Sequence, residues 1–263
     1  MSAPMLTNRD LRDEVRDYWS DRAATFDSDP GHRIADGAEM AAWEALFRKH
    51  LGPGEGRRLL DLASGTGEIA RLCRRLGFAV TGLDWAEPML ARARAKLPEV
   101  TFLQADAERT MLPDAGFDVI VTRHLVWTLI DPAAAFAEWH RILAPGGQLL
   151  VVDGDFVTRT WLARLLARMT PSARYAGDPR HRDILSRVHF SGGARAAAVV
   201  ALLRDAGFVD IRVDRGLRPI HRAQAAQRGW RKSLLRHSEH RYAISARAGA
   251  RGQASTRSPL LLV

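Results

Sequence analysis

Two glycines and the small residues around them mark the stretch of the chain that is best suited to hold a charged ligand. Residues 59–70 read LLDLASGTGEIA, so a short apolar run leads directly into a loop of small residues. Gly65 and Gly67 let the backbone approach a ligand closely, and a helix that starts after them offers unpaired N–H groups and the positive end of its dipole. The pattern predicts that an anionic group binds at this loop.

Three acidic residues near this loop could bind other parts of the same ligand. Residues 65–70 also fit the Gly-x-Gly-x-x-Ala fingerprint of dinucleotide-binding proteins, in which Asp84 could bind a ribose. Asp61, however, lies where a carboxylate would repel a pyrophosphate but could accept hydrogen bonds from an ammonium group. Asp106 follows the third apolar run, where it could accept a hydrogen bond from an adenine amino group. The glycines alone therefore do not identify the ligand, whereas the carboxylates favour a ligand that carries both amino groups and a ribose.

The elements that must position these residues alternate along the chain. Short apolar runs are separated by segments with helical spacing, and this alternation predicts a parallel sheet that helices cover on both faces. Two later runs could add two strands at one edge, giving seven in all. The runs span residues 58–63, 79–84, 100–105, 117–122, 147–153, 208–213 and 240–248.

With its spacing, this set of residues resembles the class I S-adenosylmethionine-dependent methyltransferases, from about residue 57 to residue 153. The resemblance extends to FDVIV at 117–121 and to RILAPGGQLLVV at 141–152. It implies an α/β fold, a doubly wound, seven-stranded, mostly parallel Rossmann-like sheet with a helical lid before it. We expect a helical cap over 1–50, the cofactor-binding core over 51–153, the rest of the sheet with substrate-covering insertions over 154–248, and a disordered tail over 249–263.

The resemblance also implies a role for individual residues in binding S-adenosylmethionine and its product S-adenosylhomocysteine. The loop from Asp61 to Gly67 would hold the methionine part, Asp84 the ribose hydroxyls, Trp85 one face of the adenine, and Asp106 with the Ala107 backbone its edge. The segments YWSDRA at 18–23 and FD at 26–27 resemble the helix that closes over the cofactor in the ubiquinone/menaquinone-methyltransferase-like branch. The residues so assigned to the cofactor are Asp61, Ala63, Ser64, Gly65, Thr66, Gly67, Asp84, Trp85, Met89, Asp106, Ala107, Tyr18, Arg22 and Arg123.

Two positions in this assignment need comment. The family often has glycine where Ala63 stands, so the methyl group of this alanine narrows the conformational freedom of the loop. Tyr18 and Arg22 are lid residues in this interpretation, and a tyrosine that packs in the core is an equal alternative.

His124 is the candidate catalytic residue. Methyl transfer from a sulfonium is an in-line displacement, so holding the nucleophile against the methyl group provides most of the catalysis. A general base helps where the nucleophile carries a proton, and histidine has a suitable ordinary pKa. His124 follows the fourth run at the edge where open α/β sheets place their sites. It is this base, a residue that orients the substrate, or one that forms a hydrogen bond within the wall of the pocket.

The charge of the chain is divided unevenly and bears on the methyl acceptor. Residues 1–153 hold 18 basic and 23 acidic residues, a net charge of −5, and residues 154–263 hold 21 and 7, a net charge of +14. The arginines do not form runs and are not interleaved with aromatic residues, which favours a solvated surface over nucleic-acid binding. We therefore expect a small-molecule acceptor, with an RNA- or protein-directed methyltransferase as the alternative.

Composition excludes several other classes. Cys73 is the single cysteine, which rules out an internal disulfide framework and a cysteine-rich zinc site and fits a cytoplasmic protein. No apolar run approaches the ~20 residues of a membrane helix, and no spacing of histidines and carboxylates suggests a metal. A nicotinamide-dependent oxidoreductase would leave Asp61 and Asp106 without a role. A non-catalytic protein that binds the cofactor stays possible, because fold does not fix function.

Overall fold

Seven strands form one sheet in the part of the chain that the computed structural model describes, which is residues 8–28, 31–157, 178–226 and 240–250. The strands are β1 (Arg58–Leu62), β2 (Ala79–Asp84), β3 (Thr101–Gln104), β4 (Phe117–Arg123), β5 (Leu143–Asp155), β6 (Phe208–Asp214) and β7 (His240–Ala248). They lie in the order β3-β2-β1-β4-β5-β7-β6. The first five pair in parallel, and β7 is antiparallel to both β5 and β6.

Eight α-helices of the described chain accompany the sheet. They are α1 (Asn8–Arg22), α2 (Ala38–Leu51), α3 (Glu68–Arg75), α4 (Glu87–Lys96), α5 (Pro132–Ile142), α6 (Pro179–Arg187), α7 (Ala196–Asp205) and α8 (Arg218–Ala226). The order of the strands reverses between β1 and β4, because the chain leaves β1 for β2 and β3 on one side and returns to β4 on the other. A crevice at the carboxyl ends of β1 and β4 is the usual ligand site of such a sheet.

Two apolar layers hold the helices on the sheet, one on each face. Alternate residues of the central strands point to opposite faces, so Leu60 and Ile120 pack against α5 and α7, whereas Leu59 and Val119 pack against α2 and α3. All four side chains are fully buried. At roughly 25 cal/mol per Å² of buried apolar surface, such side chains contribute about 1.5–3 kcal/mol each, so the central strands are a rigid base for the loops at their ends.

The predicted fold class is confirmed, and the differences are in the boundaries. The alternation of runs and helical segments gives the seven-stranded, mostly parallel sheet, with β2 and β7 at the expected residues. β5 begins four residues earlier and ends two residues later than expected, since Leu143 already pairs with Phe117 and Asp155 with the start of β7. α1 and α2 form the helices expected within residues 1–50.

The two substrate-covering insertions, which we expect at residues 155–193 and 216–239, are described only in part. In them the structure describes α6 and α8, while residues 158–177 and 227–239 lie outside the described residues, as does the expected tail from residue 251 onward. None of the helices that the structure describes combines the length and the apolar character needed to cross a bilayer.

Candidate functional site

The carboxyl edge of the sheet brings together the residues that the sequence singled out. β3, β2, β1 and β4 are neighbours, so the loops after them adjoin one another. Asp61 lies near the end of β1, Asp84 ends β2, and Asp106 follows β3 by two residues. Arg123 ends β4 and His124 comes directly after it. Because the four strands are parallel neighbours, their carboxyl ends bring residues that are distant in the chain into one candidate site.

The loop between β1 and α3 has a backbone that only small residues adopt readily. Ala63, Gly65 and Gly67 all have positive φ angles, of 55°, 53° and 85°. The Ser64 N–H donates to the Leu83 carbonyl at 2.9 Å, which fixes the loop to β2. Ser64 and Thr66 are buried, and α3 begins at Glu68. The left-handed conformation of Ala63 is strained for a residue with a Cβ. The alanine therefore restricts the conformation of the loop, as expected from the sequence.

Asp84 braces this loop with its side chain. Its Oδ2 accepts a hydrogen bond from the Gly65 N–H at 2.8 Å, and its Oδ1 accepts one from the Ala86 N–H at 2.9 Å. Burial raises the pKa of Asp84, and these N–H groups oppose the rise. A carboxylate has about four acceptor positions, so these backbone N–H groups leave acceptor capacity for a hydroxyl group of a ligand. Trp85 beside it is half-buried and Met89 is buried.

Asp106 is held by an arginine that the sequence analysis did not single out. Arg12 of α1 donates from Nη1 to Asp106 Oδ2 at 2.6 Å and also binds Glu108, which is 5% exposed. Asp106 Oδ1 accepts from the Glu108 N–H at 2.9 Å. The Ala107 carbonyl accepts from Trp139 Nε1 at 2.8 Å. The predicted adenine edge of the site is thus in direct contact with the first helix.

Asp61 and Arg123 are charged residues that each have one buried side-chain atom without a hydrogen-bond partner among the described residues. Asp61 is 1% exposed, and its Oδ2 has no hydrogen-bond partner among the described residues. Burial raises the pKa of Asp61 to about 8, against the opposing charge of Arg123. Arg123 donates from Nη2 to the His32 carbonyl, while its Nη1 is buried and unpaired within the described chain. An isolated buried carboxyl of this kind fits an ammonium group as its partner.

A segment before α2 covers the glycine loop. Asp27 accepts from Thr66 Oγ1 at 2.5 Å and pairs with Lys96 of α4 at 2.7 Å. Burial alone would raise the pKa of Asp27, but Lys96 and Thr66 hold it below its ordinary value. The Phe26 ring lies 3.7 Å from where a Cβ on Gly65 would be. Phe26 and Asp27 belong to the segment that the resemblance assigns to the closing helix, whereas Lys96 was not predicted.

The predicted lid residues of α1 lie beside α6. Tyr18 is 6% exposed, and its ring stacks on the His181 ring at 4.8 Å. Its neighbour Trp19 packs edge-on against Phe26 at 6.1 Å. Arg22 is the last residue of α1. Tyr18 therefore faces a histidine of the first insertion, and its predicted contact with the cofactor stays a prediction.

His124 has a backbone conformation that is rare for histidine. Its φ is 62°, its N–H donates to the Val152 carbonyl, and its carbonyl accepts from Trp127 Nε1 at 3.0 Å. The ring lies edge-on to Phe156, with 5.4 Å between centroids, and its Nε2 is 3.4 Å from Nη1 of Arg241. Strained residues of this kind cluster at functional sites, because surrounding contacts must maintain them.

Asp153 supports the turn that carries His124. It is 2% exposed and accepts from the Val126 N–H at 2.7 Å and from the Gly154 N–H at 2.8 Å. Burial raises the pKa of Asp153 to about 7. Sequence reasoning missed Asp153, Phe156 and Arg241, although the position of Asp153 at the end of a strand was a usable signal. Within the described residues, no group of histidines, cysteines and carboxylates could hold a metal ion.

Comparison with known proteins shows that the chain is similar to methyltransferases. A family described as "Methyltransferase domain" matches residues 60–151. A demethylmenaquinone methyltransferase of Thermus thermophilus is 43% identical over 37% of this chain and 47% of its own length, and one of Chlorobaculum tepidum is 32% identical over 58% and 64%. The chain thus spans less than two thirds of the length of these relatives. The crystal structure of an S-adenosylmethionine-dependent methyltransferase from Mesorhizobium loti is similar, with a TM-score of 0.58, 28% identity and coverage of 80% of this chain and 100% of that one.

Proposed function

Residues 60–151 match the methyltransferase-domain family, and we propose that the chain is a class I, S-adenosylmethionine-dependent methyltransferase that transfers a methyl group to a small-molecule acceptor. When bound, S-adenosylmethionine supplies an electrophilic methyl group on a sulfonium. The protein's part is to hold this group and to align the acceptor with it at ~3 Å.

The observation that carries the proposal is the set of acceptor groups along one edge of the sheet. Asp61 with its unpaired oxygen suits the ammonium of the methionine part. Asp84 has acceptor positions left for the ribose hydroxyls, and Asp106 lies beyond it for the adenine amino group. A dinucleotide would instead place a pyrophosphate close to Asp61, where charge repulsion and the cost of burying an ionised carboxylate would both oppose it.

We assign the methyl acceptor to a cluster of aromatic rings beside His124. The Trp127 ring packs edge-on against Phe156, with 5.3 Å between centroids, and against His181 at 5.6 Å. The Tyr18 ring stacks on the His181 ring. Burial lowers the pKa of His181, so its ring is neutral at physiological pH. Flat apolar molecules gain most from such walls, since rings interact edge-on or stacked. This supports an aromatic or otherwise apolar acceptor of small size.

We assign to His124 the role of general base toward an acceptor at these rings. A guanidinium has no hydrogen-bond acceptor, so the 3.4 Å contact of Arg241 with Nε2 favours the neutral imidazole. The ring can take a proton from a hydroxyl or amine as the nucleophile attacks only where the acceptor replaces Arg241 at Nε2. Holding the acceptor against the Phe156 and Trp127 rings would then align it.

The test is binding followed by turnover. Calorimetric titrations with S-adenosylmethionine, S-adenosylhomocysteine and NAD should show binding of the two adenosyl sulfur ligands and none of NAD. Release of S-adenosylhomocysteine is then measured with a panel of acceptors. Reduced naphthoquinones are tested first, because two relatives are named demethylmenaquinone methyltransferases. An RNA and a protein acceptor in the panel test the alternative that the basic C-terminal part suggests. Preference for NAD, or binding without turnover on any acceptor, would refute the proposal.

A further inference from the structure

Rings on the acceptor side of the protein form a continuous row, which we call the ring row. It runs from His124 to Phe156, Trp127 and His181, with 5.4, 5.3 and 5.6 Å between successive centroids. Nε2 of His181, at the end of the ring row, is buried and has no hydrogen-bond partner in the described chain. A buried polar atom that has lost water costs stability unless it is paired. A ligand along the ring row can therefore supply a hydrogen bond that the described chain does not provide.

The position of Nε2 in the imidazole directs it away from the backbone of α6. Nε2 and Cε1 are the ring atoms farthest from the histidine backbone, so they meet the elements on which α6 packs. One is α1, where Tyr18 stacks on the His181 ring at 4.8 Å and Trp19 is edge-on at 6.1 Å. The other is the turn after β4, which carries Trp127. Ile184 of α6 is buried in the same apolar cluster as Tyr18, which holds α6 on α1. The His181 ring thus lies between α1 and this turn.

Several other buried polar atoms without a partner in the described chain belong to the cofactor side. Asp61 Oδ2, Ser64 Oγ and Arg123 Nη1 lie at or beside the glycine loop, where the proposed cofactor would reach them. His181 is on a different element, α6 of the first insertion, and its contacts are with the rings that we assign to the acceptor. The nitrogen of His181 is therefore placed for the acceptor and not for the cofactor.

The surroundings of His181 keep its imidazole neutral. Burial lowers the pKa of His181, and the charge of Arg22 lowers it further, against the opposing charge of Asp178. A neutral imidazole has one N–H donor and one acceptor nitrogen, so Nε2 either donates or accepts, depending on the tautomer. A hydroxyl group can pair with Nε2 in both tautomers, because it both donates and accepts. An apolar substituent in the same place would leave the nitrogen buried and unpaired.

We propose that His181 determines the specificity for the methyl acceptor, because its Nε2 forms a hydrogen bond with an oxygen of the acceptor that is remote from the atom receiving the methyl group. The inference rests on the proposed function and narrows the acceptor to flat molecules with a hydroxyl or carbonyl group at the far edge. His124 and His181 stand at opposite ends of the ring row, so a flat molecule along Phe156 and Trp127 has each of its two polar groups at one imidazole. An acceptor without the second oxygen leaves Nε2 unpaired, and this cost is the basis of the selection.

Binding titrations with matched naphthalene compounds test this role. They are made in the presence of S-adenosylhomocysteine, so that no methyl group is transferred during the measurement. The probes are the 1,5- and 2,6-diols of naphthalene, each compared with the naphthol that lacks one of the two hydroxyl groups. The wild-type protein should bind at least one diol about 10-fold or more tightly than its naphthol, as expected when a buried group gains its hydrogen bond.

Variants of two histidines assign the preference to Nε2. His181→Phe keeps a flat ring for the stack on Tyr18 but has no nitrogen, so it should bind the diol and the naphthol with equal affinity. His181→Gln has an amide at about the position of Nε2 and should retain most of the preference. His181→Asn has its amide nearer the position of Nδ1 and should lose the preference. His189→Phe is the matched control, because His189 belongs to the same insertion but is exposed and outside the ring row, and it should leave the preference unchanged.

The outcomes separate this inference from the proposed function. A wild-type protein that binds neither diol more tightly than its naphthol, or a preference that survives in His181→Phe, would overturn the role of His181 and leave the proposed methyl transfer in place. Equal weakening of diol and naphthol by every His181 variant would show a purely structural role and would also overturn it. The wild-type series and the Gln and Asn variants decide the question if His181→Phe does not fold. The proposed function is refuted separately by the absence of turnover, which these titrations do not require.

Discussion

Replacing Asp61 by asparagine should stabilise the protein in the absence of ligand, by an amount that grows with pH. In the unfolded chain Asp61 loses its proton near its ordinary pKa of 3.8, whereas burial holds the proton up to about pH 8 in the folded protein. Between these values the folded state binds one proton more than the unfolded state, so raising the pH lowers the free energy of unfolding. An asparagine has no such proton to lose.

The magnitude follows from the shift of about 4 pKa units. Each unit corresponds to about 1.4 kcal/mol, so the ionised Asp61 costs the wild-type protein up to about 6 kcal/mol at pH 8 and above, and about 4 kcal/mol at pH 7. At pH 4 the cost is below about 1 kcal/mol, because the folded state still holds its proton and the unfolded state has lost only a little more than half of it. The stability curves of the wild type and of Asp61→Asn should therefore diverge steadily between pH 4 and pH 8 and run parallel above.

Urea unfolding at pH 4.5, 6, 7 and 8.5 measures this divergence for the two proteins. Asp118→Asn is the matched control, because the Arg58 ion pair lowers the pKa of Asp118 below its ordinary value. The stabilising effect of Asp118 is complete above its ordinary pKa and is lost only as the pH falls, so this control should differ from the wild type by a constant amount over the same range. A constant difference for Asp61→Asn as well would refute the reasoning that burial of Asp61 stores this free energy.

Three further changes test the loop, the ribose site and the base. Ala63→Gly should raise the free energy of unfolding by up to about 1 kcal/mol in thermal unfolding. It removes left-handed strain of ~1–2 kcal/mol but adds ~0.4–1 kcal/mol of conformational entropy to the unfolded chain. The control Ala41→Gly in helix α2 should instead lower the free energy of unfolding by ~1 kcal/mol. Asp84→Ala should weaken S-adenosylhomocysteine binding by about 2 kcal/mol or more, and unchanged affinity in calorimetry would remove its ribose role. His124→Ala should slow turnover ~100-fold or more at nearly constant cofactor affinity, whereas full turnover would make His124 part of the pocket wall.

Much of the fold could be predicted from the sequence because the signals are local. Each central strand is an apolar run bounded by polar or small residues, and each helix follows at the expected spacing. The glycine loop and the carboxylates at or just after the ends of β1, β2 and β3 are predicted in the same way, since each lies at or beside the end of an apolar run. The early start of β5 was missed because residues 143–147 read as a turn, although Leu143 pairs with Phe117.

The side chains that meet these local motifs from far along the chain could not be predicted. Arg12 lies 94 positions before Asp106 and Arg241 lies 117 positions after His124, and neither has a motif of its own. The left-handed φ of His124 depends on Asp153 and Val152 of the neighbouring strand. No pattern within one segment reports such contacts.

The sequence by itself determined the order of strands and helices, the glycine loop and the carboxylates that follow the strands, because alternation and loop chemistry act between residues that are close in the chain. Only the tertiary structure decided which charges meet. Asp61 and Arg123 share a face because β1 pairs with β4 in one register, and Trp43 joins them because α2 packs on that face. Burial in this packed layer then shifts the pKa of Asp61 to about 8. The physical reason is that desolvation and charge pairing depend on distances in space, which the fold sets.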